Sequence, residues 1–253
     1  APEIIRLSDV ARYKTVLWSI FGSGIGATNM LVSSTVCGAS RIVPSYLSAG
    51  GSLWIYGDQV WGAFRQFGAG TCKATLSYSE SHGLNFDVIH FPCEFMKICG
   101  GDFREAKTPS GTRGIQNGLV RGFPTAEAQG EMFPQVEVDS TLLFPPSLPY
   151  VDAMFQPTFA SSGLDTLYTM ISALPNSQFN NKPVAFRYRD PDPIAPAQGP
   201  VAVFGFSYHL LKQGSASQNT DGSYSGTGVR GVAASMMNWF RQHQPAAQAH
   251  LSP

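Results

Sequence analysis

The stretch Tyr46-Leu47-Ser48-Ala49-Gly50-Gly51-Ser52-Leu53-Trp54-Ile55-Tyr56-Gly57-Asp58 decides how the fold is read. It has the form of a helix end, a glycine stop and a short apolar strand. The glycine pair supplies the positive backbone angles that terminate a helix. Residues 53–56 carry no charge and are aromatic or branched, the pattern of a strand buried on both faces. Gly57-Asp58 stands where that strand ends, and in an open α/β sheet the carboxyl end of a strand is where ligands sit. Tyr56, Asp58 and Trp61 are therefore the candidate ligand-binding residues.

Upstream, residues 7–13 suggest a short helix capped at Ser8 or Asp9. Lys14-Thr15-Val16-Leu17-Trp18-Ser19-Ile20 is an uncharged strand after Lys14. It runs into Phe21-Gly22-Ser23-Gly24-Ile25-Gly26, a glycine-rich turn whose spacing does not match the GxGxxG of dinucleotide-binding folds. Residues 39–49 predict a helix with Pro44 near its first turn. Val60, Trp61, Phe64 and Phe67 are spaced for a helix over 58–67. Residues 86–91 alternate as a strand does, or lead into a helix over 92–98.

Downstream, residues 100–160 are punctuated by Gly, Pro, Thr and Ser. A structureless loop of that length is uncommon in a compact domain. The expectation is an insertion of short strands, such as residues 135–139, on one edge of the sheet. Residues 164–170 read as a strand or a short turn, and 183–189 and 201–206 as strands that form an antiparallel hairpin with a long loop. Residues 213–228 read as a surface loop and 231–243 as a helix with Val232, Met236, Met237 and Phe240 on one side.

These elements predict an α/β three-layer sandwich with a mainly parallel sheet, a C-terminal β-hairpin and a terminal helix. The expected organisation is one domain over 1–243 with a disordered tail at 244–253. With 17 basic and 17 acidic residues among 253, net charge is zero. A nucleic-acid binder would need a basic excess. Charged residues make up only 13%, against about 25% in an average domain. Such a low-charge chain favours covered apolar surface, and hence other protein chains as partners. No run approaches the ~20 apolar residues of a membrane span. The start at Ala1-Pro2-Glu3, without Met, fits a processed end or a piece of a longer precursor.

Cys37, Cys72, Cys93 and Cys99 contain no CxxC pair. They leave three possible disulfide pairings, or free buried thiols. Asn219-Thr220-Asp221-Gly222-Ser223 has oxygen donors at alternate positions, so Asn219, Asp221 and Ser223 are candidate calcium ligands, though no Glu closes the loop. Otherwise no cofactor is expected.

The succession Tyr-Lys-Thr-Val-Leu-Trp, Tyr-Leu-x-Ala-Gly-Gly-x-Leu-Trp-Ile-x-Gly, Gly-Leu-Asp-Thr-Leu-Tyr-Thr and Gly-Pro-Val-Ala-Val-Phe-Gly-Phe-x-Tyr-His-Leu resembles class I glutamine amidotransferase-like, flavodoxin-like α/β domains of large secreted bacterial proteins. The resemblance implies a secreted, periplasmic or cell-surface setting. The amidotransferase chemistry needs a Gly-x-Cys-x-Gly elbow and a later His-x-Glu. Neither Cys93 nor Cys99 has glycines on both sides, and no later histidine has that partner. The expected function is therefore a non-catalytic structural or interaction domain in a larger assembly. The alternative is a secreted hydrolase or carbohydrate-binding module with a pocket near Asp58.

Overall fold

The computed structural model describes residues 6–21, 42–58, 60, 84–85, 91–98, 100–105, 119–139, 141, 152–157, 162–192, 194 and 196–245. For 21, 58, 84–85, 100–105, 119, 152–157 and 210 the description is of the backbone. The glycine-rich turn at 22–26, Trp61 and the rest of the 61–67 pattern, Cys37, Cys72, Cys99, most of the 86–91 strand and the tail from 246 lie outside the described residues.

The opening stretch folds as helix, stop and strand. Helix α1 (Leu7–Val10) and strand β1 (Thr15–Phe21) precede it, helix α2 (Ile42–Ser48) begins it and strand β2 (Ser52–Asp58) ends it. Gly50 takes φ +82° and terminates α2, with its N–H on the Leu47 carbonyl. Gly51 is required for a different reason. A Cβ there would stand 2.1 Å from the ring of Tyr46, whose hydroxyl donates to the carbonyls of Tyr13 and Ser52. The helix thus folds back onto its own stop and hands the chain directly to β2. α1 is capped at Arg6, two or three residues before the expected Ser8 or Asp9, with the Asp9 carboxylate accepting from the Arg6 N–H.

Next come β3 (Leu84–Asn85), α3 (Phe91–Met96), β4 (Gly100–Glu105), β5 (Leu119–Pro124), α4 (Ala126–Gly130), β6 (Val136–Glu137) and β7 (Asp152–Pro157). The C-terminal part supplies β8 (Leu164–Ser172), β9 (Pro183–Tyr188), β10 (Val201–Phe204), β11 (Ala216–Gln218), β12 (Tyr224–Gly226) and α5 (Gly228–His243). Seven strands join in the order β1-β2-β10-β9-β8-β5-β6, while β3-β4-β7 form a small antiparallel sheet and β11-β12 a hairpin. The expected hairpin of β9 and β10 is present, and β6 sits on the sheet edge as expected of residues 135–139. The expected loop at 213–228 is instead an exposed hairpin, held to α5 by Asn238, whose amide bonds both the N–H and the carbonyl of Tyr224.

The sheet is not the parallel one expected. Only β1–β2 and β2–β10 pair in parallel; β10–β9, β9–β8, β8–β5 and β5–β6 are antiparallel. The result is a mixed, mostly antiparallel, curled sheet with few helices, mainly β, and not a three-layer parallel α/β sandwich. The physical reason lies in the connections. A parallel neighbour needs a crossover of a dozen or more residues, usually helical. Between β8 and β9 the short 173–182 link is knotted by Asn180, whose side chain bonds Ser172 N–H and the Leu174 and Pro175 carbonyls. Between β9 and β10 the chain holds Pro191, Pro193 and Pro196, which no helix interior tolerates. Both links can only return the strand beside itself.

The sheet buries both faces. Leu53, Ile55, Phe186, Val201 and Val203 face a core closed by α2 and α3. Trp54, Ala185, Ala202 and Phe204 face a second core closed by α5, with Val232, Met236, Trp239 and Phe240 at helical spacing. Each such side chain contributes about 1.5–3 kcal/mol by leaving water. Cys93 is buried in the first core and is not a free thiol.

Candidate functional site

A ligand was expected at the carboxyl end of β2, where Tyr56 is partly buried. Tyr56 packs against Tyr208 with ring centroids 4.7 Å apart, and Trp54, Phe204 and Phe206 continue the cluster. Asp58 is placed by its backbone alone and Trp61 lies outside the described residues. The candidate calcium ligands Asn219, Asp221 and Ser223 sit in the β11–β12 turn and bond one another: Ser223 donates to Asp221 from both its N–H and hydroxyl, and Asn219 donates to Ser223. Among the described residues no three His, Cys, Asp or Glu side chains converge as a metal set.

A polar cleft of about 410 Å³ opens at the other end of the sheet, beside the start of β10 and the end of α5. Arg189, Asp190, Gln198, Gln242 and His243 line it. Its architecture follows from local chemistry. The Asp190 carboxylate accepts from the N–H groups of Asp192 and Ala197, which folds the proline-rich link into a compact wall. Gln198, only 7% exposed, donates from Nε2 to the Phe95 carbonyl. Gln244 closes the floor by donating to the Lys14 carbonyl and the Ser52 hydroxyl.

His243 and Arg189 form an oriented pair. Nδ1 of His243 lies 2.8 Å from the Trp239 carbonyl, and Nε2 lies 2.9 Å from Arg189 Nη1. A carbonyl only accepts, so Nδ1 carries the proton and Nε2 accepts from the guanidinium. Burial holds the His243 pKa below its usual value, the charges of Arg189 and Arg187 lower it further, and the Trp239 bond and Glu131 oppose them. The ring is thus a neutral strut for a cation.

One layer deeper, Arg187 is a buried charge in β9. It donates to both oxygens of Glu131, the Nη2–Oε1 contact measuring 2.8 Å, and from Nε to Asp165 at 3.1 Å. Its guanidinium also lies 5.0 Å from the Trp239 ring centre. Burial works against its charge, but Glu131 and Asp165 outweigh that and raise its pKa.

A third feature is the edge of the sheet at β1, which has no second neighbouring strand among the described residues. The Lys14 carbonyl accepts from Ser52 N–H. Backbone direction alternates along a strand, so Thr15, Leu17, Ser19 and Phe21 turn their N–H and C=O outward. An apolar groove of about 190 Å³, lined by Val10, Val16, Leu17, Trp18, Ile42 and others, runs beside it.

No family model, curated protein or solved structure matches the chain. The resemblance to amidotransferase-like domains rests on the quoted residues alone.

Sequence reasoning missed Arg187, Arg189, Gln198 and His243. The signal for Arg187 was visible: a charge inside the apolar run Val184-Ala185-Phe186-Arg187-Tyr188 needs buried partners. The cleft had no such signal, because its walls come from segments that meet only through antiparallel pairing.

Proposed function

We propose that this chain is a non-catalytic interaction domain of an exported bacterial protein, and that it joins its assembly by accepting an extended strand of another chain along β1. The observation that supports this reading is the character of that edge. Natural edge strands are blunted by charge, proline, bulges or short length. Among the described residues β1 has none of these: Thr15-Val16-Leu17-Trp18-Ser19-Ile20-Phe21 is uncharged and pairs with β2 in unbroken register over seven residues. Leu17 is 50% exposed, and the Ser19 hydroxyl is buried with no hydrogen-bond partner. The opposite edge is the control. β6 has two residues, and its Glu137 pairs with Lys212. The fitting partner is an uncharged segment with apolar side chains at alternate positions, since the groove offers no charge to pair. Among the described residues no helix is long and apolar enough to cross a membrane, so the reading requires no span there.

The test uses Leu17→Pro. The Leu17 N–H points away from β2, so proline there leaves the β1–β2 ladder intact and removes an outward donor. The expected result is a folded chain with a melting temperature close to wild type that no longer co-migrates with its native complex. Amides of Leu17 and Ser19 should exchange freely in the isolated chain and be protected in the complex. A wild-type chain that is monomeric in its source, or edge amides already protected in isolation, would overturn the reading.

A further inference from the structure

We propose that the polar cleft binds the carboxylate end of a small ligand that also carries an adjacent N–H or O–H donor, such as an α-amino acid or the C-terminal residue of a peptide. This inference is independent of the strand-addition reading and uses different residues.

Two groups in the cleft are prepared and unused. Arg189 is the first. Its Nη1 meets the His243 ring, and among the described residues the ion pairs are those of Arg187 and Lys212. The neighbouring Asp190 has both oxygens engaged by backbone N–H groups. Among the described residues the guanidinium is therefore a cation without a carboxylate, oriented by a neutral imidazole that adds no competing charge. A guanidinium has five N–H donors in a planar fork matched to a carboxylate.

Gln198 is the second. Its amide is clamped through Nε2 on Phe95, which fixes Oε1 as an acceptor on the cleft wall. Gln198 lines the cleft, and with Nε2 held on Phe95, Oε1 is the amide's acceptor. An acceptor held this way selects a donor-bearing ligand. The volume lies within the roughly 300–1,000 Å³ of small-molecule sites. Asp190 and Asp192 on the same wall set the charge limit: they tolerate a monoanion beside Arg189 and repel a dianion such as phosphate.

The test is a titration of the full chain, followed by NMR, with N-acetylglycine, glycine, N-acetylglycinamide and inorganic phosphate. N-acetylglycine should shift the Arg189 guanidinium and Gln198 amide signals saturably, while N-acetylglycinamide, which lacks the carboxylate, should not. Tighter binding of glycine than of N-acetylglycine would assign the site to free amino acids, and the reverse to peptide ends; either supports the proposal. Arg189→Gln should weaken N-acetylglycine by about tenfold or more without changing the melting temperature, as expected for losing a hydrogen bond to a charged group. Equal binding of the amide, tighter binding of phosphate, undiminished binding in Arg189→Gln, or no binding by either carboxylate up to roughly 10 mM would overturn it. If Gln198→Leu folds, it should lose the preference for N-acetylglycine over acetate.

Discussion

Replacing Arg187 by alanine tests whether the second core depends on its buried charge. Arg187 is 1% exposed and joins three elements: β8 through Asp165, the end of α4 through Glu131, and α5 through the Trp239 ring. Removing one partner of a buried ion pair costs about 3–5 kcal/mol, because the remaining charges are left without compensation. Here the Asp165 and Glu131 side chains are 21% and 38% exposed, so they rehydrate in part and the lower end applies, about 3 kcal/mol. Loss of the aliphatic stem beside Phe133 and Trp239 adds about 1 kcal/mol. The expected destabilisation is thus about 4 kcal/mol. Urea unfolding followed by circular dichroism measures it, as a drop in midpoint at unchanged slope. The triple variant Arg187→Met, Asp165→Asn, Glu131→Gln keeps the packing and removes the charges together, and should recover most of the loss. If Arg187→Ala stays within about 0.5 kcal/mol of wild type, the network is not a structural clamp. If the triple variant is as unstable as the alanine variant, packing and not charge explains the loss.

Two further outcomes follow from the same geometry. Gly51→Ala forces the Tyr46 ring off its seat, since the new Cβ would stand 2.1 Å from it; the expected cost is about 1–3 kcal/mol of overpacking, read as a lower melting temperature, and Gly51→Ala should be milder in a Tyr46→Leu background. For His243, the folded pKa is lowered from about 6.5 in the unfolded chain, so the unfolded state takes up a proton first and stability falls as pH drops from about 6.5 towards the folded pKa. His243→Gln can make the same two hydrogen bonds without titrating, so the wild type should lose stability relative to this variant between about pH 7 and 5; a flat difference in melting temperature across that range would refute the assignment.

How much of this was legible in the sequence depends on the range of the forces involved. β1, β2, β8, β9, β10 and α5 were visible because each carries its own apolar pattern, set by which faces it buries. The Gly50 stop was visible because positive φ selects glycine locally. Strand direction was not visible in the strands. Val201-Ala202-Val203-Phe204 is buried on both faces, and that pattern is shared by a central parallel strand and by one with a parallel neighbour on one side and an antiparallel one on the other. The information sat in the links, in Asn180 and the prolines after Asp190. The cleft was least legible. Arg189 and His243 are 54 residues apart, and Gln198 and Phe95 are 103 apart, so no spacing rule connects them. The expectation of a site at Asp58 followed from the parallel-sheet assumption, and β2 does pair in parallel with both of its neighbours.

The β1 edge, unpaired among the described residues, bears on why an assembly, and not a freely diffusing ligand, is the proposed context. Four residues of β1 turn a donor and an acceptor outward. At about 1 kcal/mol net per hydrogen bond, a full ladder is worth roughly 8 kcal/mol, and covering the exposed half of Leu17 adds about 1 kcal/mol. Association itself costs about 4–15 kcal/mol, with further cost for ordering an extended segment. The balance is close to zero, so a free peptide would bind such an edge weakly. A segment tethered in the same assembly escapes most of that cost, because its effective concentration reaches about millimolar. An uncharged edge is hazardous on a free chain, where it templates aggregation, and useful on one whose partner is always at hand. The isolated chain should therefore self-associate as concentration rises, and Leu17→Pro should suppress that association together with loss of the complex.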